Sequence, residues 1–197
     1  MNMAMATLIV GLVLFLGAHS SRLLVPGWRA VQIERLGEQR WKGMMALTSL
    51  AGLVLLVIGY SLSYPEQNPL WAAPAWLDPI LGTLMLFSFI LVAAAFVRGS
   101  QIHHRLGHPL VAGVAVWALV HLIATGGRPA DLALYGLFML WASAEFISLR
   151  RRDLAAGASF SDGRMALDGV AIFAGLVAYL AFVFFLHHFL FGVPAFR

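Results

Sequence analysis

Long apolar runs separated by short polar breaks dominate this chain. A helix needs about 20 apolar residues to cross the hydrocarbon core of a bilayer, with about 17–25 tolerated. Such runs fall near residues 4–25, 44–63, 77–97, 109–124, 132–149 and 165–191. The breaks carry helix punctuation. Pro26-Gly27 closes the first span, Pro65 and Pro69 lie in the second break, Pro79 falls in the first turn of the third helix, and Gly126-Gly127 ends the fourth. Pro109 suits a first helical position, where the missing N–H has no intrahelical acceptor to lose. The pattern predicts an all-α integral membrane bundle of six transmembrane helices, a single domain over residues 1–197. The longest break, about 20 residues, is too short for a soluble core of its own. The spans show no internal repeat and no GxxxG pair.

Composition agrees with that pattern and removes several chemistries. Of 197 residues, 61% are hydrophobic and 11% charged, and the mean hydropathy is +0.85. Soluble domains carry about 45–50% apolar and about 25% charged residues, so the bilayer is the expected solvent and lipid the first partner. Cysteine is absent. That excludes disulfides, thiolate catalysis, cysteine-ligated iron–sulfur clusters and covalently attached c-type haem.

A net charge of +4 raises nucleic acid as a partner, but the basic residues punctuate apolar spans instead of forming a patch. Segments 22–43, 98–108 and 150–164 hold 11 of the 13 Lys and Arg residues, leaving Arg128 and Arg197 for the opposite side. The positive-inside rule then puts the three basic segments in the cytoplasm and both termini on the non-cytoplasmic side of the membrane. The first span has no basic residue before it, unlike a secretory signal peptide, and is expected to be retained. Trp28, Trp41, Trp71 and Trp76 fall near span ends, as interfacial aromatics do.

Ionisable residues at membrane depth cost at least a few kcal/mol on insertion scales, so they normally face a bundle interior, a cavity or a ligand. Here they are His19 with Arg22, His108, His121, Glu145, Asp168 and the pair His187-His188. His103 and His104 fall in a polar break and are expected to be solvated. His19 and Arg22 are three apart and share a helical face, where both either reach the inner interface or turn to a ligand. His121 lies 13 residues after His108, so the two imidazoles sit roughly 140° apart around one helix and do not share a metal. Trp117 precedes His121 by one turn, and His121 is either a core histidine bonded to a carbonyl or a ligand. His108 fits an interfacial helix start. Glu145 has Ser148 and Leu149 at its i+3 and i+4 positions, so a local charge partner is not expected and Arg22 is the candidate. Arg150-Arg151-Arg152 reads as a stop-transfer cluster. Asp168 opens the sixth helix at the positive end of its dipole. Of His187 and His188, about 100° apart, only one is expected to face inward.

Neutral imidazole binds Fe, Cu and Zn, and apolar helices make a natural haem pocket, so a metal site or a haem b site is the chemistry that best suits several histidines without cysteine. Two histidines from different helices would supply the axial ligands. Arg22, Arg35 and Arg40 would meet the propionates through charge-assisted hydrogen bonds. A rival reading is a small transporter in which Glu145, Arg22 and His121 relay protons or ions. Another is a non-enzymatic assembly partner of a membrane reductase.

Several segments recur in an order that resembles a known family. They are Gly17-Ala18-His19-Ser20-Ser21-Arg22, Gly37-Glu38-Gln39-Arg40-Trp41-Lys42-Gly43, His108-Pro109, and Trp117-Ala118-Leu119-Val120-His121-Leu122 ahead of Thr125-Gly126-Gly127. On these the chain resembles the NnrU-like membrane proteins, which include the 15-cis-zeta-carotene isomerases. The resemblance implies a b-type haem held by histidine, with the proposed axial ligands falling at His19 and His121. It also implies one of two roles. One is in nitrite and nitric oxide (denitrification) metabolism beside a respiratory reductase; the other is cis–trans isomerisation of an apolar polyene or isoprenoid by reduced haem iron.

Overall fold

The computed structural model describes residues 2–63, 67–158, 163–191 and 195. Pro65, Arg197 and part of the basic segment 150–164 therefore lie outside the described residues. In chain order the helices are α1 (Met3–Leu24), α2 (Pro26–Leu36), α3 (Glu38–Ser63), α4 (Asp78–Phe96), α5 (Gln101–Leu106), α6 (Pro109–Thr125), α7 (Pro129–Ala155) and α8 (Met165–Leu190). No strand occurs among the described residues. Among the described residues five helices are long and apolar enough to cross a membrane: α1, α3, α4 with the 3-10 turn before it, α7 and α8. The protein is thus all-α and multi-pass. The remaining predicted span, α6, has 17 residues, about 26 Å of rise against a hydrocarbon core of about 30 Å.

Punctuation placed the helix ends well. Pro109 is the first residue of α6, and Gly126 and Gly127, both at positive φ (87° and 65°), stop the chain beyond Thr125. Two expectations need correction. Pro26 does not merely end the first span; it opens α2, because proline's fixed φ and missing N–H suit a first turn. The segment 22–43 is accordingly helical rather than loop, and α3 begins at Glu38, six residues before the expected 44. Its first turn is exposed and held by a Lys42–Glu38 ion pair of 2.8 Å at i,i+4.

The chain folds as two compact units, Met1–Trp71 with Gly126–Trp141, and Ala72–Thr125 with Ala142–Arg197. In the first, α1 and α3 run antiparallel with their backbones nearly touching. Gly59 faces Leu8, Gly52 faces Phe15 and Gly11 faces Leu56. An alanine Cβ at Gly11 would come within 2.5 Å of the Leu56 amide nitrogen, and one at Gly52 within 2.6 Å of the Phe15 nitrogen. Small residues let membrane helices gain dispersion contacts that lipid tails would otherwise make. The spacing used is seven residues (Gly52 to Gly59), which a search for GxxxG does not detect. Trp41, expected at the interface, is 3% exposed and belongs to this core.

In the second unit, α4 packs against α6 and α8. Gly175 of α8 lies on Ile90, where an added Cβ would sit 2.6 Å from Ile90 Cα. Buried Ser88 donates its hydroxyl to the Gly113 carbonyl at 2.8 Å, joining α4 to α6. Ser88→Ala will therefore cost about 1 kcal/mol, visible as a drop of roughly 2–4 °C in the detergent melting temperature. An unchanged melting temperature would show that the bond contributes nothing net.

Candidate functional site

In the first unit α1 carries His19 to within a turn and a half of its C-terminal end. The imidazole Nδ1 lies 2.7 Å from the Phe15 carbonyl oxygen. A carbonyl only accepts, so Nδ1 bears a proton, and in the neutral ring the lone pair belongs to Nε2. The ring stacks on the Phe15 ring (centroids 4.4 Å, interplanar angle 29°) and meets Trp141 edge-on (5.9 Å, 81°). Phe138 closes the cluster against both Phe15 (5.6 Å) and Trp141 (6.3 Å). The Trp141 indole N–H is buried without an acceptor. Arg22, one turn beyond His19, and Arg40, in the first turn of α3, are exposed.

The second unit repeats the device. His121 of α6 has Nδ1 3.0 Å from the Trp117 carbonyl, and its ring packs on Trp117 (5.0 Å, 45°). Again Nδ1 is the donor and Nε2 carries the lone pair. Thr125 donates its hydroxyl to the His121 carbonyl at 2.8 Å, fixing the last turn of α6. Both histidines thus use an aromatic residue four positions earlier, its carbonyl to set the tautomer and its ring to hold the plane. His121 is half-buried and His19 exposed.

The other titratable residues have structural partners, and several depart from expectation. His108 is not simply interfacial, because its Nε2 pairs with Asp153 Oδ2 at 2.8 Å. His103 and His104 are not in a solvated loop: both are half-buried on α5, and His103 Nδ1 donates to the Ala94 carbonyl at 3.1 Å. Asp168 lies in the first turn of α8, as expected, and also serves the N-terminus of α5, accepting from the Ile102 N–H at 2.9 Å beside Ser100, which accepts from His103 N–H at 3.0 Å. Arg150 closes the other end of α5, donating to the Arg105 carbonyl at 3.0 Å. Glu145 does have a local partner, Arg152 at 3.5 Å. Side chains lean toward the helix N-terminus, so a long arginine two turns later reaches back along the same face. His187 is half-buried, edge-on to Phe182 at 5.9 Å, and His188 is exposed, so one of the pair faces inward as expected.

Sequence reasoning missed the most buried polar cluster. Asp131 is 0% exposed. Its Oδ1 accepts from the Tyr60 hydroxyl at 2.7 Å, its Oδ2 accepts from the Arg128 backbone N–H at 2.9 Å, and the Arg128 guanidinium lies 3.7 Å away. Arg128 Nε donates to the Gln67 carbonyl at 3.1 Å, and Gln67 Oε1 accepts from the Ala130 N–H at 2.8 Å. The Gly126 carbonyl accepts from the Leu70 and Trp71 N–H groups, while the Trp71 ring covers Gly127, leaving no space there for a Cβ. No buried side-chain oxygen or nitrogen of Tyr60, Gln67, Arg128 or Asp131 lacks a partner, which makes this clasp a fastening of the 67–71 segment to the 126–131 turn. The spacing Arg128-Pro129-Ala130-Asp131, with an acid at N3 reaching back to the N-cap, was the available sequence clue.

Among the described residues no group of three or more His, Asp or Glu side chains could hold a metal ion. A porphyrin-held iron asks less of the protein, since it needs only one or two axial ligands. Comparison with curated proteins finds no match, and neither does comparison with solved structures. Residues 7–195 match the family described as NnrU protein, nearly the whole chain, and the chain therefore belongs to the NnrU family.

Proposed function

We propose that this NnrU-family membrane protein binds b-type haem, with the imidazoles of His19 and His121 as axial ligands. The observation that carries the proposal is their shared local chemistry. Both rings have Nδ1 directed at an i−4 carbonyl and are held against an aromatic plane, which leaves Nε2 as the nitrogen available to a metal. Metal-bound histidines characteristically donate the other ring N–H to a carbonyl or carboxylate, which fixes tautomer and plane and raises ligand basicity. The donor set fits haem b: two imidazoles, no thiolate, apolar and aromatic surroundings, and exposed Arg22 and Arg40 for the propionates. When bound, the haem would supply an iron that changes redox state. The chain's residues set ring tautomers, hold the aromatic planes and exclude water.

The family membership and this donor set support a role in nitrite and nitric oxide metabolism in a bacterial inner membrane, beside a respiratory reductase. The isomerisation of a bilayer-dissolved polyene would draw on the same donors. In this reading α6 is the sixth span, both termini lie outside, and the basic segments face the cytoplasm, an orientation favoured by their 11 of 13 Lys and Arg residues. The test is a pyridine haemochrome spectrum of the protein purified in mild detergent after expression with haem supplied. A stoichiometric b-type signal is expected. It should be lost or converted to a different spin state in His19→Ala and in His121→Ala, and kept in His108→Ala. Apoprotein alone, or unchanged spectra in both ligand variants, overturns the assignment and moves the relay and assembly readings ahead.

A further inference from the structure

The helix α2 has no residue buried by the protein. Its half-buried positions, Arg29, Gln32, Ile33 and Leu36, fall within about 100° of one another on the helical wheel and form the inner side. Trp28, Val31 and Arg35 fall within about 60° on another side, with Trp28 53% and Val31 42% exposed. Glu34 and Ala30 lie on a third side, away from this stripe. Leu24, the last residue of the apolar helix α1, and Val25 precede α2 in the chain and are also exposed, at 71% and 45%. Trp28 is fixed in place edge-on against buried Trp41, at 5.6 Å and 72°.

We propose that α2 lies in the plane of the membrane interface, with Trp28 and Val31 in the acyl boundary and Arg35 on the phosphate of an anionic phospholipid. Tryptophan beside arginine suits that depth, because the indole straddles the boundary and the guanidinium snorkels to the headgroups. Charge selects the headgroup. Residues 22–42 carry Arg22, Arg29, Arg35, Arg40 and Lys42 against Glu34 and Glu38, and Glu38 is already paired with Lys42. Such a juxtamembrane cluster attracts anionic lipid over zwitterionic lipid.

The chain has no cysteine, so one introduced cysteine takes one spin label. In phosphatidylcholine–phosphatidylglycerol vesicles, a label on Val31→Cys should be more accessible to oxygen than to a water-soluble nickel chelate. A label on Glu34→Cys should show the reverse. Spin-labelled phosphatidylglycerol should associate with the unlabelled protein about threefold more strongly than spin-labelled phosphatidylcholine, and Arg35→Gln should remove a measurable part of that preference. Arg35 is exposed, so this variant keeps its fold. Equal chelate accessibility at positions 31 and 34, or a lipid preference that Arg35→Gln leaves intact, overturns the proposal.

Discussion

Asp131→Ala will lower the stability of the protein by about 3–5 kcal/mol, a fall of roughly 10 °C in melting temperature for a chain of this size. The cost lies less in the lost bonds than in what they leave behind. The Arg128 guanidinium would be left without the carboxylate it faces at 3.7 Å, and the Tyr60 hydroxyl without the acceptor it meets at 2.7 Å. A buried charge stripped of its partner is far more expensive than a pair replaced together by apolar groups. Tyr60→Phe removes a single donor and should cost about 1.5–3 kcal/mol, the range for a hydrogen bond to a charged group. Because the two side chains share one bond, the double variant should be less destabilised than the sum of the singles. Melting curves by far-ultraviolet circular dichroism in one detergent, with all three variants beside the parent, measure this. Additive losses would show that Tyr60 and Asp131 act separately, and an Asp131→Ala curve lying on the parent's would remove the clasp from the account of stability.

How much of this was legible in the sequence depends on the range of each interaction. Span positions rest on runs of apolar residues and on the local conformations of proline and glycine, so Pro109, Gly126 and Gly127 marked ends that the structure keeps. The i−4 aromatic before His121 was visible for the same reason. What reasoning along the chain did not find are contacts between segments far apart in sequence, for which no local pattern exists. Gln67 meets the turn that holds Asp131, and Asp153 meets His108, although neither pair is periodic in the chain. Arg152 was missed for a different reason: charge pairing was sought one turn away, whereas the arginine side chain spans two. Helix α2 was missed because its eleven residues are too few and too polar to be a span, and a search for spans reads such a segment as a break.

Replacing Gly59 with alanine should be among the most damaging single-methyl additions in the protein, opposite in sign to the usual effect. In a solvated helix, alanine gains about 0.5–1 kcal/mol over glycine by reducing backbone freedom in the unfolded chain. At Gly59 the new Cβ would land on the backbone N and Cα of Leu8, itself 0% exposed, and backbone atoms cannot rotate away as a side chain can. Helix α1 must shift outward from α3. The shift is shared along the contact, because Gly52 on Phe15 and Gly11 on Leu56 are equally close. Overpacking of this kind costs about 1–3 kcal/mol, so a loss of roughly 5 °C in melting temperature is expected. Gly43→Ala supplies the control on the same helix, since nothing lies within 4 Å of its would-be Cβ, and it should melt at or above the parent temperature. Gly52→Ala adds a second reading. Its Cβ would press on the nitrogen of Phe15, whose carbonyl holds the His19 ring, so it should disturb the imidazole without touching it. If the protein binds haem through His19 as proposed, the Soret band should then move in Gly52→Ala and stay in place in Gly43→Ala. If Gly59→Ala and Gly43→Ala melt together, α1 and α3 do not cross at Gly59, and the glycine spacing would have no packing role.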